Sequence, residues 1–124
     1  KPSNTDKGDY FGSAVAISGN VVIIGAGGED SSAIGINGSQ QDNNSESSGA
    51  AYIFVRTDDT WSQVAYVKSS NSEAGDNLRS VAISDGTIII GAAGEDSKAK
   101  GINGDQTDNS ATDSGAVYVF FGQL

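Results

Sequence analysis

Histidine, cysteine and methionine are absent from this sequence, and proline and tryptophan occur once each. Without cysteine there is no disulfide, no thiolate metal site and no cysteine nucleophile. Without histidine there is no Ser-His-Asp triad, no imidazole base and no His-ligated zinc or iron. Two carboxylates acting together would survive these absences. Basic residues are scarce, with 7 Lys and Arg against 16 Asp and Glu and a net charge of −9. That balance is the reverse of the clustered positive charge that tracks nucleic-acid phosphates or anionic membranes, so neither partner is expected. The longest uninterrupted apolar run, about Val21 to Ile24, falls far short of the roughly 20 residues of a membrane helix. No secretory leader is visible and residue 1 is Lys rather than Met, so the sequence is expected to be a piece of a longer or processed chain.

What is present is a repeat. Lys1 to Asp9 aligns with Lys68 to Asp76, and residues 15–54 align with 81–120 at 25 identities in 40 positions. Similarity at that level means one structural unit used twice. The unit reads as β. Short runs at Ser13–Ser18, Val21–Ala26, Ala50–Arg56 and Trp61–Lys68 are bounded by Gly, Asn, Asp or Ser, the expected signature of strands. Gly19-Asn20 and Asp85-Gly86 stand where two-residue hairpin turns belong, and no helical periodicity is apparent. Four antiparallel strands per repeat is the build of a propeller blade. The second copy supplies strands at 80–84, 87–92 and 116–121 and reaches residue 124 before any counterpart of Trp61 to Val64. The division expected is a first blade with its preceding linker over 1–74 and a second, incomplete blade over 75–124.

Gly8-Asp9-Tyr10-Phe11-Gly12-Ser13, Val22-Ile23-Ile24-Gly25-Ala26-Gly27 and Gly49-Ala50-Ala51-Tyr52-Ile53-Phe54 have second copies at 75–80, 89–94 and 115–120. Together they resemble the FG-GAP repeat of integrin α-subunit propellers. The stretch Gly28-Glu29-Asp30-Ser31-Ser32-Ala33, continuing to Asn37-Gly38, resembles the bacterial version of that repeat. The resemblance implies an all-β propeller and a role in adhesion or protein interaction outside the cell or at its surface. Two departures stand out. Leu78-Arg79 replaces the family's Phe-Gly, so the first strand of the second copy should begin one residue short. Integrin repeats often hold calcium between the first two strands, but Ser18–Asn20 and Ser84–Gly86 are too short to wrap a cation.

Each copy instead carries a long connection between its second and third strands, 27–49 and 93–115. Such loops are uncommon and often functional. The first holds Glu29, Asp30, Asp42 and Glu46 with no basic residue; the second holds Glu95, Asp96, Asp105, Asp108 and Asp113 against Lys98 and Lys100. Charges of −4 and −3 therefore place −7 of the net −9 in two loops. Calcium takes six to eight oxygen ligands, and the oxygen-bearing residues of the loops, Glu29, Asp30, Asn37 and Asp42 with Glu95, Asp96, Asn103 and Asp108, are candidate ligands. A plainer alternative is that Asn37-Gly38 and Asn103-Gly104 make turns while Asp30 and Asp96 accept bonds from nearby backbone amides.

Lesser signals have simple explanations. Gly25 to Gly28 looks like a phosphate loop without its Lys and helix, and close strand packing accounts for it. Trp61 could stack on a sugar or pack against a neighbouring sheet. Asn37-Gly38-Ser39 and Asn43-Asn44-Ser45 are glycosylation sequons only in a eukaryotic secretory setting. Fewer than two blades cannot close a ring of four to eight. The chain is expected to complete itself with further blades of the same propeller, with other copies of itself, or with a strand donated at its open edge. Three functions follow as expectations: a non-enzymatic, secreted or cell-surface interaction module; a glycan-binding propeller; and a carboxylate-only hydrolase.

Overall fold

A computed structural model describes residues 1–122; Gln123 and Leu124, the end of the second repeat, lie outside the described residues. Seven strands and no helix are found among them: β1 (Phe11–Ser18), β2 (Val21–Ala26), β3 (Ala50–Thr57), β4 (Thr60–Val67), β5 (Leu78–Ser84), β6 (Thr87–Ala92) and β7 (Ala116–Phe121). They form two antiparallel sheets, ordered β1-β2-β3-β4 and β5-β6-β7. These are the two blades that the repeat predicts, the second with three strands.

The hairpin turns are as the sequence reads them. Asp85 and Gly86 both take positive φ, 47° and 78°, as a type I′ turn requires. The Leu78-Arg79 departure is absorbed in a bulge. In the first blade the register jumps from Phe11↔Ala26 to Ala14↔Gly25, leaving Gly12 and Ser13 unpaired, whereas in the second it jumps from Leu78↔Ala92 to Ser80↔Gly91, leaving only Arg79. Thus β5 has 7 residues where β1 has 8. The strand nevertheless starts at Leu78 rather than Ser80, because Leu78 is a fully buried core residue.

Alternation along the strands produces two cores. Ile23, Ala51, Ile53, Ala65 and Val67 of the first blade meet Leu78, Ile88, Ile90 and Ala92 of the second. On the opposite face of the first blade, Ala26, Ala50, Tyr52 and Tyr66 cluster with Phe11, Ala33 and Phe54. Phe11 meets Tyr52 and Phe54 edge-on, with ring centroids 5.4 and 6.2 Å apart, a favoured aromatic geometry.

The two outward faces are apolar. Ile89, Val117 and Val119 are exposed, although their counterparts Ile23, Ala51 and Ile53 are buried between the blades. Likewise Val15 and Ile17 are exposed, while their counterparts Val81 and Ile83 pack into the inter-blade core. Each outward face therefore repeats a face that the other blade buries, which is how a stack of blades continues.

Candidate functional site

The strand directions put both long loops at one end of the blades, together with the segments 1–10 and 68–77 that precede β1 and β5. The other end carries the tight turns that join β1 to β2, β3 to β4 and β5 to β6. The loops have a defined shape, set by hydrogen bonds that recur in both copies. Asp30 Oδ1 accepts from Ser47 N at 2.7 Å, and Asp96 Oδ1 from Asp113 N at 2.7 Å. The Asp30 carbonyl takes Ser45 N, and the Asp96 carbonyl takes Ala111 N, both at 2.8 Å. Asp9 and Asp76, in the preceding segments, accept from Asp6 N and Glu73 N, both at 2.8 Å. Burial pushes the Asp9 carboxyl up, and it pushes Asp76 up to about 6, against the opposing pull of the Glu73 amide.

Beneath the first loop lies a buried ion pair. Glu29 and Lys68 are both essentially solvent-free, and Lys68 Nζ stands 2.9 Å from Glu29 Oε2. The ammonium also donates to the Ser31 carbonyl at 2.7 Å and to Ser48 Oγ at 2.5 Å, so all three of its protons are placed. Asn4 Nδ2 donates to the other Glu29 oxygen at 3.0 Å, and Asn4 Oδ1 in turn accepts from Tyr52 OH at 2.7 Å. Ser31 Oγ bonds both Glu29 and the Tyr66 hydroxyl. Burial draws the Lys68 ammonium below its ordinary pKa, while Glu29 beside it works in the opposite sense. An ion pair withdrawn from water persists when its remaining polar positions are filled in this way.

β4 brings Lys68 to this place, and the loop grips β4 from its outer side. Lys68 N donates to the Gly35 carbonyl at 2.8 Å, Asn37 N to the Tyr66 carbonyl at 2.7 Å, and Gly35 N to the Ser69 carbonyl at 3.2 Å. Asn37 Oδ1 completes the clasp by accepting from Tyr66 N at 2.9 Å.

The second blade repeats everything that its own strands can supply. Glu95 is 3% exposed; it accepts from Asn71 Nδ2 at 2.9 Å and from Ser97 Oγ at 3.0 Å. Ser114 Oγ donates to the Glu95 and Ser97 carbonyls, as Ser48 does to those of Glu29 and Ser31. Tyr118 OH donates to Asn71 Oδ1 at 2.5 Å, and burial raises its pKa to about 12. A cation is what differs: among the described residues, the ion pairs are Lys68 with Glu29 and an exposed, 4.0 Å pair of Lys98 with Asp108.

The eight candidate calcium ligands are thus distributed rather than gathered. Glu29 serves Lys68; Asp30 and Asp96 accept backbone amides; Asn37 clasps β4. Asp42 accepts from Ser32 N and Asn44 N at 3.0 and 3.1 Å, bonds that hold its carboxyl below the usual range. Asp108 accepts from the hydroxyl and amide of Ser110, which lower its pKa in the same manner. Glu95 lies buried under the second loop, and Asn103 stands exposed at its tip with a φ of 56°. Among the described residues, no group of three or more acidic side chains is placed to hold a metal ion.

Other residues find their places. Gly25 to Gly28 pack closely, since a Cβ on Gly25 would lie 2.1 Å from the Arg79 carbonyl oxygen and one on Gly28 would lie 2.1 Å from that of Gly8. Trp61 lies at the turn end of β4, away from the loops, with the Arg56 guanidinium 5.7 Å from its ring centroid. Lys68, Ser31, Ser48 and Asn4 complete the buried network around Glu29 and are not among the candidate residues of the sequence. One signal was available: Lys1 and Lys68 hold equivalent positions ahead of a shared Ser-Asn.

The model of the FG-GAP repeat matches residues 1–54 and again 61–120. Its unit is out of phase with the sheets, since the second match begins on β4 of the first blade. No curated protein and no solved structure matches the chain. With two repeat matches that together span most of its length and two sheets built alike, the chain belongs to the FG-GAP repeat family.

Proposed function

We propose that the chain is a non-enzymatic propeller module, secreted or held at a cell surface, that serves adhesion or protein interaction through its loop-bearing end. The FG-GAP repeat supports a propeller-type interaction module. The observation that carries the finer reading is the shape of the acidic loops. Their carboxylates and amides fix the backbone from within, so two equivalent acidic surfaces stand side by side without needing to order on contact. Preorganisation of that kind lowers the cost of binding, and the charge favours a partner with a basic face. Exposed Glu46 and Asp105 are suited to a test. Charge reversal by Glu46→Lys with Asp105→Lys should weaken binding to a panel of immobilised extracellular-matrix proteins about tenfold or more at low salt, with the circular dichroism spectrum unchanged. Undiminished binding would remove the loops from the contact surface. Selective binding to a glycan array, lost on Trp61→Ala, would instead favour the sugar-binding alternative.

Calcium remains the other role considered for the loops. With Glu29 held by Lys68, and Asp30, Asp42, Asp96 and Asp108 engaged by their own loops, millimolar calcium is expected to leave the thermal midpoint within about 1 °C of its value in chelator. A ligand that binds only the folded state must raise the midpoint, so a rise of several degrees would restore calcium to the account.

A further inference from the structure

At the loop-bearing end of the molecule, where β1 of the first blade lies against β5 of the second, there is an open pocket of about 560 Å³. Gly27 and Gly28 lie side by side in it, Gly28 against the Tyr10 ring and Gly27 against Asn77 and the stem of Arg79, and Ser47 of the first long loop also lines it. All of its lining residues fall between positions 10 and 79, and none is Asp or Glu. In a chain whose net charge is −9, a pocket with an arginine and no carboxylate is a local reversal of sign.

Three observations say what such a pocket would hold. First, its cation has no partner: the ion pairs among the described residues belong to Lys68 and Lys98, and the exposed Arg79 is in neither. Second, Gly27 keeps the space beside that cation open. A Cβ there would lie 2.6 Å from Asn77 Oδ1 and 2.8 Å from Arg79 Cδ. The backbone does not itself demand glycine, since Gly27 is not among the residues of positive φ and Ala93 holds the same position in the second copy. Third, Tyr10 is held in an unfavourable conformation. Its φ of 53° is left-handed, which is rare for a bulky residue, whereas its equivalent in the second copy is Asn77, at 58°, a residue type that tolerates this region. Backbone strain of that kind concentrates where ligands are held, and Tyr10 is 75% exposed.

We propose that this pocket binds a monocarboxylate with a flat, apolar body. The Arg79 guanidinium takes both carboxylate oxygens side by side, and the Tyr10 ring covers the body. Asn77 Oδ1 has no hydrogen-bond partner among the described residues, so this amide can turn to add a donor. One guanidinium balances one negative charge; a dianion such as phosphate would leave a charge unpaired beside the acidic loops. The inference rests on Arg79 and the pocket around it, not on the adhesive reading of the loops.

The test is a titration of the isotope-labelled chain with benzoate at constant ionic strength, followed by NMR. Shifts at the amides of Tyr10, Gly27, Gly28, Ser47, Asn77 and Arg79 should saturate by about 10 mM, a range fitting so small a ligand. Benzamide, of the same shape but neutral, should bind about tenfold or more weakly, and Arg79→Gln should weaken benzoate by a similar factor. Tyr10→Asn should weaken it about threefold or more while the protein unfolds at the same or a higher temperature, a split that a merely structural tyrosine would not produce. The benzamide comparison uses the unaltered chain, so the test does not depend on a variant folding. No saturation, equal binding of benzamide, or undiminished binding to Arg79→Gln would overturn the proposal. Inorganic phosphate that competed as well as benzoate would overturn the assignment to a carboxylate.

Discussion

Glu29→Gln is expected to reduce the folding free energy by about 3–5 kcal/mol, whereas Glu95→Gln should cost almost nothing or stabilise the chain. The two carboxylates occupy the same position in successive repeats and are equally buried in kind. They differ in what faces them. Substituting Glu29 strands the Lys68 ammonium among the Ser31 carbonyl, Ser48 Oγ and a neutral amide, and breaking a buried pair from one side is far costlier than the pair is stabilising. For a domain whose total stability is about 5–15 kcal/mol, that is a large fraction. Glu95 strands no cation when neutralised: Asn71 Nδ2 can donate to the glutamine oxygen, and the Ser97 hydroxyl can turn to accept from the glutamine amide. A double variant, Glu29→Gln with Lys68→Met, should recover much of the loss, because it removes both charges. Urea denaturation of the four proteins measures these differences. Equal costs at positions 29 and 95 would show that the second pocket is not an unpaired copy of the first.

Gly25→Ala should be a damaging conservative change between the blades, with a cost of about 3 kcal/mol. Its Cβ would sit 2.1 Å from the carbonyl oxygen of Arg79, and a backbone atom in β5 has no rotamer through which to escape. The blades would have to part, loosening the core that joins Ile23 and Ile53 to Ile88 and Ile90. The equivalent Gly91→Ala meets only Ser80 Cβ at 3.4 Å, ordinary contact, and should change stability by less than about 0.5 kcal/mol. Thermal unfolding of the matched pair reads the difference. A mild Gly25→Ala would mean that the blades do not pack as closely as described.

Much of this fold was legible because its signals are local. β-branched runs, turn residues and the repeat offset gave the strands to within a residue or two at most ends, and the shortened first strand of the second copy was readable from Leu78-Arg79. The site was less so, for a physical reason. Charge counting treats every loop carboxylate alike, while the fold sends Glu29 and Glu95 inward and leaves Glu46 and Asp105 in water. The partner of Glu29 lies 39 positions away at the end of a different strand, where no periodicity of the loop could point to it. Asp30 and Asp96 each accept a bond from a backbone amide within their own loop. Asn37 does more than form a turn, since its side chain holds β4 in place.

The first blade is closed at β3 by β4 and Lys68, whereas among the described residues no strand pairs with the outer edge of β7. Amide hydrogen exchange followed by NMR tests this most directly, because protection reports which backbone groups are paired. The account predicts slow exchange at alternate amides on both sides of β3, and slow exchange in β7 only at amides bonded to β6. Those on its outer edge should exchange at nearly unprotected rates. Outer-edge amides of β7 as protected as those of β3 in the chain alone would contradict it.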